Sequence, residues 1–186
     1  MLKMFSKIIL KLIGWHVDVT LPEEKKFVLI GAPHTTNWDL PLALLCFWSI
    51  PINITWVAKK QLFIGPLNYF FRTLGGVPVD RSVSTGFIEQ VAQQFQDRDE
   101  MIFALAPEGT RSKTEYWKTG FYYIALTAKV PVCLGYIDFP TRTIGFGKVL
   151  YPSGDIEKDF EQIKLFYADK KGKHPYNQGP VAIKKR

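Results

Sequence analysis

Short apolar runs alternate with stretches of helical periodicity along most of this chain, and this alternation constrains the fold more than any other feature. Apolar runs of strand length occupy residues 27–31, 53–57, 76–79, 101–105, 132–137 and 143–150. Apolar residues recur at helical spacing in residues 42–48, 87–95, 120–129 and 156–167. Strands that alternate with helices favour an α/β fold with a mostly parallel or mixed sheet flanked by helices. Residues 1–186 contain no repeat and no linker-like segment, so a single domain is predicted.

Residues 1–14 predict an N-terminal amphipathic helix. Lys3, Lys7 and Lys11 are spaced four apart and form one stripe, while apolar residues cover the rest of the helix surface. The stretch is too short and too charged to span a bilayer, which needs about 20 apolar residues. It also lacks the cleavage site of a secretory signal. Two interpretations stay open: a helix lying in a membrane interface, and a terminal helix packed on the core.

Residues 40–58 are uncharged and need the same test. Pro41 and Pro51 interrupt them, which favours a buried helix followed by a strand over a membrane span. The two cysteines, Cys46 and Cys133, lie in apolar surroundings without metal-like spacing. They are predicted to be buried thiols in a reducing compartment rather than a disulfide.

The charge of the chain favours anionic partners. The formal net charge is +7 and the isoelectric point is near 9.3. Lysine and arginine concentrate in a basic tail over 170–186, at positions 170, 171, 173, 184, 185 and 186. Lipid head groups, phosphorylated cofactors and nucleic acid are the anions that a basic protein meets. No nucleic-acid-binding signature occurs in the sequence, so a nucleic-acid partner is not predicted.

A histidine and a carboxylate follow the first apolar run, where residues 34–39 read HTTNWD. In a continuous helix His34 and Asp39 would point about 140° apart and would not touch. Pro33 favours a turn there, and a turn would fold His34 back over Asp39. The carboxylate would then hold one ring nitrogen and leave the other to accept a proton. The alternative is that Asp39 only caps the helix that follows it.

The second motif follows the run at 101–105, where residues 107–111 read PEGTR. A glycine-bearing loop after a buried strand can direct backbone amides and Arg111 towards an anion. A third segment, residues 75–81, reads GGVPVDR and predicts a strand that ends in Arg81 at the rim of a pocket. Without the other two motifs, Arg81 would pass for an ordinary surface residue.

These segments, in this order, resemble those of the glycerolipid acyltransferase family typified by bacterial 1-acyl-glycerol-3-phosphate acyltransferase. The histidine and aspartate motif matches at His34 and Asp39, the strand ending in arginine at residues 79–81, and the PEGTR motif at residues 107–111. A following element matches at residues 117–120 (WKTG), and an apolar strand opening with Val-Pro matches at residues 130–132. The resemblance covers about residues 27–135.

The resemblance implies direct acyl transfer. His34, oriented by Asp39, would act as general base on an acceptor hydroxyl, which attacks the thioester of acyl-CoA or acyl-carrier protein. The phosphate and glycerol of the acceptor would be held by Arg81, Glu108, Gly109, Thr110, Arg111 and Lys118. No serine or cysteine sits in the motifs to form an acyl-enzyme. No cofactor and no metal is implied, since the thioester is a substrate.

The implied partners are a lysophospholipid acceptor, an acyl thioester donor and an anionic membrane surface. The implied location is the cytoplasmic face of the membrane, with peripheral attachment. Two other functions fit the same residues: a basic module that binds anionic lipid or nucleic acid, and a thioester hydrolase in which water replaces the acceptor. The bulky Trp38 inside the first motif, and the short N-terminal helix, leave the identity of the acceptor open.

Overall fold

The computed structural model describes residues 2–52, 54–59, 61, 63–79 and 86–184. Within these residues the chain forms seven β-strands, six α-helices and a short 3₁₀ turn, Pro175–Asn177. The strands are β1 (His16–Val19), β2 (Lys26–Ala32), β3 (Ile54–Lys59), β4 (Gly76–Val79), β5 (Met101–Leu105), β6 (Val132–Asp138) and β7 (Thr143–Leu150). The helices are α1 (Leu2–Leu12), α2 (Asp39–Ser49), α3 (Pro66–Thr73), α4 (Phe87–Gln96), α5 (Gly120–Ala128) and α6 (Ile156–Tyr167).

All seven strands join one mixed sheet in the order β1-β7-β6-β2-β5-β3-β4. Neighbouring strands are parallel except for β6 and β7, which are antiparallel. The central strand β2 pairs with β5 on one side and with β6 on the other. The carboxyl ends of β2, β5 and β6 therefore meet at one edge of the sheet, where α/β proteins usually hold their ligands.

Helices cover both faces of the sheet, because the strands are apolar on both sides. Along β2, Val28 and Ile30 face a core that is filled from α4, α5 and α6. The alternate residues Phe27 and Leu29 face a second core that includes Leu44 of α2. This alternation with a period of two residues places β2 in the middle of a three-layer α/β structure. The predicted α/β fold with a mixed, mostly parallel sheet is confirmed.

The strands and helices predicted from apolar patterning are present, with small differences at their ends. Strands β4, β5 and β7 and helix α6 have the predicted bounds, and residue 53 of the predicted third strand lies outside the described residues. Two elements were not predicted. Strand β1 is a short edge strand with three exposed residues, fixed by its pairing with β7. Helix α3 buries no residue, so it lacks the apolar core stripe from which helices are predicted.

Helix α1 is present as predicted, and one side of it packs on the core. Ser6 and Leu10 are buried, and Leu10 joins a small core with Leu42 and Cys46 of α2. The opposite side of α1 exposes an apolar stripe that includes Phe5, at 59 %, and Leu12, at 80 % exposure. Among the described residues, no helix is both long enough and apolar enough to cross a bilayer.

Candidate active site

Both motifs lie at the same edge of the sheet, because each follows one of two paired parallel strands. His34 comes two residues after the end of β2, and the PEGTR loop begins two residues after the end of β5. The register of the two strands pairs Ile30 with Leu105, so they end side by side. The peptide bond between Ala32 and Pro33 is cis. The sequence placed each motif after a strand, and strand pairing brings the two loops together.

The predicted contact between histidine and aspartate is present. His34 Nδ1 lies 2.9 Å from Asp39 Oδ2. Asp39 is 4 % exposed, whereas the His34 side chain is 26 % exposed and lines a cavity. The contact with Asp39 occupies Nδ1 and fixes the orientation of the ring. Any exchange of a proton with a substrate is thereby directed to Nε2.

Asp39 is fixed by the main chain of its own loop. Its Oδ2 atom also accepts hydrogen bonds from the backbone N–H groups of Thr35, at 2.9 Å, and Thr36, at 3.0 Å. Residue Trp38 occupies the N-cap position of α2, and no side chain caps that end of the helix. Asp39 therefore orients His34 and closes the turn instead of capping α2. The sequence did not predict a role for these two threonines, because they act through backbone N–H groups that do not depend on the residue type.

Glu108 lies beneath the histidine loop. It is 4 % exposed, and its Oε2 atom accepts a hydrogen bond of 2.6 Å from the backbone N–H of His34. Burial raises the pKa of Glu108 to about 8, the bond from His34 opposes this shift, and the nearby negative charge of Asp39 adds to it. This hydrogen bond connects Glu108 of the second motif directly to the backbone of the first motif.

After Glu108 the second motif forms a half-buried turn that becomes exposed at Arg111. Gly109 has a φ of 68°, a left-handed conformation that favours glycine, and its N–H donates to Ala106 O. Thr110 Oγ1 accepts a hydrogen bond from the N–H of Ser112. Arg111 and Lys118 carry exposed side chains. The backbone N–H of Lys118 donates to Pro107 O at 2.8 Å, which brings the predicted WKTG element back onto the motif.

A cavity of about 1190 Å³ joins the two loops. One end is lined by His34, Asp39, Gly109, Thr110, Arg111 and Lys118. Most of the other lining residues are apolar, among them Leu29, Phe47 and Phe146 on the side of α2. The cavity thus brings six of the predicted catalytic and substrate-binding positions to one surface. Arg81, the remaining predicted cation, lies outside the described residues.

The sequence profile of the Acyltransferase family matches residues 15–136, which include both loops. The chain belongs to the Acyltransferase family. The resemblance inferred from the motifs, and the prediction of an acyltransferase enzyme, are therefore confirmed. No curated protein sequence matches the chain.

A solved structure with a similar fold is the crystal structure of the 1-acyl-sn-glycerophosphate (LPA) acyltransferase PlsC from Thermotoga maritima. The TM-score is 0.62 and the sequence identity is 21 %, over 87 % of this chain and 73 % of that one. At this identity the similarity establishes a shared fold. Residues 137–184 of this acyltransferase extend beyond the family match but belong to the same domain, since they supply β7 and α6.

Both cysteines of this acyltransferase are buried, as predicted. Burial raises the pKa of Cys46 to about 12 and that of Cys133 to about 12. Both thiols therefore stay protonated at neutral pH and are poor nucleophiles, although Cys46 lines the cavity. Among the described residues, no group of three or more His, Cys, Asp and Glu side chains has the arrangement of a metal site.

Proposed function

We propose that this acyltransferase transfers a fatty acyl group from acyl-CoA or acyl-carrier protein to the hydroxyl of a lysophospholipid such as 1-acyl-glycerol-3-phosphate. The observation that carries the proposal is the His34 Nδ1–Asp39 Oδ2 contact in a largely apolar cavity that Arg111 and Lys118 also line. The acceptor hydroxyl requires a base, the acceptor phosphate requires a cation, and the acyl chain requires an apolar channel. The fold that the chain shares with the LPA acyltransferase PlsC from Thermotoga maritima supports this choice of acceptor.

His34 acts as general base at Nε2. It takes the proton of the acceptor hydroxyl as the hydroxyl oxygen attacks the thioester carbonyl, and a carbon–oxygen bond forms. The tetrahedral intermediate then collapses, the carbon–sulfur bond breaks, and the imidazolium returns the proton to the departing thiolate. Asp39 stabilises the imidazolium and keeps Nδ1 as the protonated nitrogen. No acyl-enzyme forms, in accord with the high pKa of the Cys46 thiol.

Arg111 and Lys118 hold the acceptor phosphate, with Thr110 and the Gly109 loop beside them. Both cations are exposed at the end of the cavity that contains His34. An arginine can bind a phosphate through two parallel hydrogen bonds, and a lysine adds a point charge. Arg81 is expected to join them, as the family resemblance implies. The positive rim then places the acceptor hydroxyl beside the base.

Glu108 positions His34 instead of binding phosphate. Its carboxyl group is buried and bonded to the backbone N–H of His34. An ionised carboxylate would repel a phosphate, which makes Glu108 a poor phosphate ligand. With its pKa raised to about 8, the Glu108 carboxyl is mostly neutral at pH 7. This assignment changes the role that the family resemblance suggested for Glu108, but keeps the residue in the site.

The acyl chain of the donor occupies the apolar part of the cavity beneath α2. Gly31 of β2 lines this part, and a Cβ atom added at Gly31 would meet no atom within 4 Å. The series Gly31→Ala and Gly31→Leu therefore fills the cavity without a clash at the backbone. We expect the preferred acyl-CoA to become shorter along this series, measured as the ratio of kcat/KM for long and short donors. An unchanged ratio for Gly31→Leu would place the acyl chain elsewhere.

The decisive experiment compares His34→Ala with a matched control. Thiol release from acyl-CoA is measured with purified protein, with and without lysophosphatidate, and the lipid products are identified. Removal of a general base lowers the rate by about 10²–10⁴-fold. His16→Ala is the control, because His16 is an exposed residue of the edge strand β1.

Each outcome of that comparison separates two functions. Acceptor-dependent release that is lost in His34→Ala and kept in His16→Ala supports acyl transfer. Release of free fatty acid without acylated lipid would indicate a thioester hydrolase on the same site. Full transfer by a folded His34→Ala protein would refute His34 as the base.

The acceptor is a membrane lipid, and we propose that α1 holds the protein peripherally on an anionic membrane surface at the cytoplasmic face. Phe5, Ile8 and Leu12 form the exposed apolar stripe, on the side of α1 away from buried Leu10. The predicted lysine stripe flanks it. Helices with this division lie in the interface, with apolar residues in the acyl layer and lysines at the phosphates.

Leu12→Glu tests this attachment. Leu12 is 80 % exposed, so the substitution leaves the core intact but puts a charge into the proposed lipid contact. We expect weaker co-sedimentation with vesicles that contain phosphatidylglycerol. The matched control is Leu165→Glu, which changes a residue of α6 that is 73 % exposed. Equal vesicle binding by Leu12→Glu and wild type would exclude α1 as the anchor.

A further inference from the structure

The C-terminal segment, defined as residues 170–184, follows α6 and lies beyond the family match. Its first residues have a fixed shape. The backbone N–H of Lys171 donates to Asp138 Oδ1, and its carbonyl accepts from the N–H of Phe139. The Gln178 side chain bridges the backbone of Lys170 and Gly172. Residues predicted as a basic tail therefore form a closed loop against the end of β6.

This loop contacts the histidine motif at Thr35. The backbone N–H of His174 donates to Thr35 Oγ1 at 3.2 Å, and Thr35 is 2 % exposed. Gly172 packs directly on the same side chain. A Cβ atom at Gly172 would lie 2.4 Å from Thr35 Oγ1 and 2.7 Å from its Cγ2 atom. Only glycine permits this approach, so packing and a hydrogen bond together fix the position of Thr35.

Thr35 is in turn part of the geometry of the base. Its backbone N–H donates to Asp39 Oδ2, the atom that contacts His34 Nδ1. Thr35 also follows His34 directly in the chain. A displacement of Thr35 would therefore disturb both the hydrogen bond to Asp39 and the backbone of His34. A reacting group misplaced by about 1 Å can lose about 10²-fold in rate. The chain of contacts therefore runs from the C-terminal segment through Thr35 and Asp39 to the ring of His34.

The same segment also contacts the chain that follows the second motif. The carbonyl of Ala182 accepts a hydrogen bond of 2.8 Å from the N–H of Trp117, the residue before Lys118. A Cβ atom at Gly179 would lie 2.0 Å from the carbonyl oxygen of Thr114. The segment is thus in close contact with the first motif at Thr35 and with residues 114–117, which lie between the second motif and Lys118.

We propose that Gly172 and Thr35 are positioning residues for the reaction, through which the C-terminal segment holds the His34–Asp39 pair in its productive orientation. The inference rests on the proposed function, because it takes His34 as the base. It assigns a task to a part of the chain that the family match does not include. Residue types alone would not have identified it, since one partner is a glycine and the other acts through main-chain contacts.

Gly172→Ala is the first test. We expect a fall in kcat of about 10- to 100-fold with little change in the KM for the acceptor, because the base moves while the cationic rim stays. The matched control is Lys171→Ala, which removes an exposed side chain and keeps both main-chain bonds of the loop. In the double variant Gly172→Ala/Thr35→Ala, the second substitution removes Oγ1 and Cγ2 of Thr35, the two atoms that the new Cβ would meet. We expect the double variant to recover part of the kcat that Gly172→Ala loses.

Thr35→Val and Thr35→Ser decide the question even where Gly172→Ala does not fold. Valine keeps the shape of threonine but gives the His174 N–H no acceptor, and a hydrogen bond of this kind corresponds to about a fivefold effect. Serine keeps the acceptor, so we expect kcat to stay closer to wild type. Thermal unfolding of each variant confirms that folded proteins are compared.

The outcomes distinguish this inference from the proposed function. Loss of activity in His34→Ala together with unchanged kcat in folded Gly172→Ala, or equal kcat for Thr35→Val and Thr35→Ser, would overturn the positioning role alone. A rise in KM without a fall in kcat would overturn it as well. Full activity of His34→Ala would instead refute the base on which the inference rests.

Discussion

The loop of the base and the loop of the cations lie at the same edge of the sheet, yet they are built in opposite ways. Asp39 is 4 % exposed, and its Oδ2 atom is held by two backbone N–H groups and by His34. Arg111 and Lys118 are exposed on a turn. The difference fits their proposed tasks. A base must keep one orientation, whereas cations that bind a head group are better left in water until the ligand arrives, because burying an unpaired charge is costly.

The strongest test of the comparison is Asp39→Asn. The amide keeps the size of the side chain but loses the charge that stabilises the His34 imidazolium, so we expect kcat to fall by about 10²-fold or more. The control is Asp97→Asn, which changes an exposed carboxylate paired with Gln93. Activity within a few-fold of wild type in Asp39→Asn would mean that the rigid loop serves folding and not catalysis.

The exposed loop should respond through binding instead. We expect Arg111→Ala to raise the KM for lysophosphatidate by about 10- to 100-fold with a smaller change in kcat, since a hydrogen bond to a charged group contributes about 1.5–3 kcal/mol. With monoacylglycerol, which lacks the phosphate, wild type and variant should have similar kinetics. Arg98→Ala removes the same charge from an exposed position before β5 and serves as control. A fall in kcat alone would place Arg111 with the base.

Glu108 connects the two loops, and its effect should be the smallest and should depend on pH. Its pKa is raised to about 8 in the folded protein from an ordinary value of 4.5. Between these values the folded state keeps a proton that the unfolded state releases, so the free energy of unfolding falls as pH rises and levels off above about pH 8. A difference of one in pKa between the folded and unfolded states corresponds to about 1.4 kcal/mol in the free energy of unfolding.

Glu108→Gln should remove this pH dependence while retaining an oxygen that accepts the His34 N–H. Urea unfolding at pH 5, 7 and 9 measures it, with the exposed Glu115→Gln as control. A wild-type midpoint that does not decline between pH 5 and pH 9 would contradict the raised pKa of Glu108. A variant that declines as wild type does would assign the dependence to another group.

Much of the fold could be predicted from the sequence because its signals are local. Buried strands such as β5 are continuous apolar runs, and α6 repeats apolar residues at helical spacing, so their bounds were predicted without tertiary information. Strand β1 and helix α3 were not predicted, because neither has a local apolar pattern that marks it. The first is fixed by pairing with β7, and the second has no buried residue. Their structure depends on neighbours that are distant in sequence.

The sequence by itself determined the chemistry that is present and the strands after which it lies. The HTTNWD and PEGTR motifs predicted a base, its carboxylate and a cationic loop, because these tasks require particular residue types. Only the tertiary structure decided how those groups are held. Glu108 meets His34 across 74 residues, and His174 meets Thr35 across 139 residues. Both contacts use backbone N–H groups, which every residue type except proline carries, so sequence pattern cannot mark them.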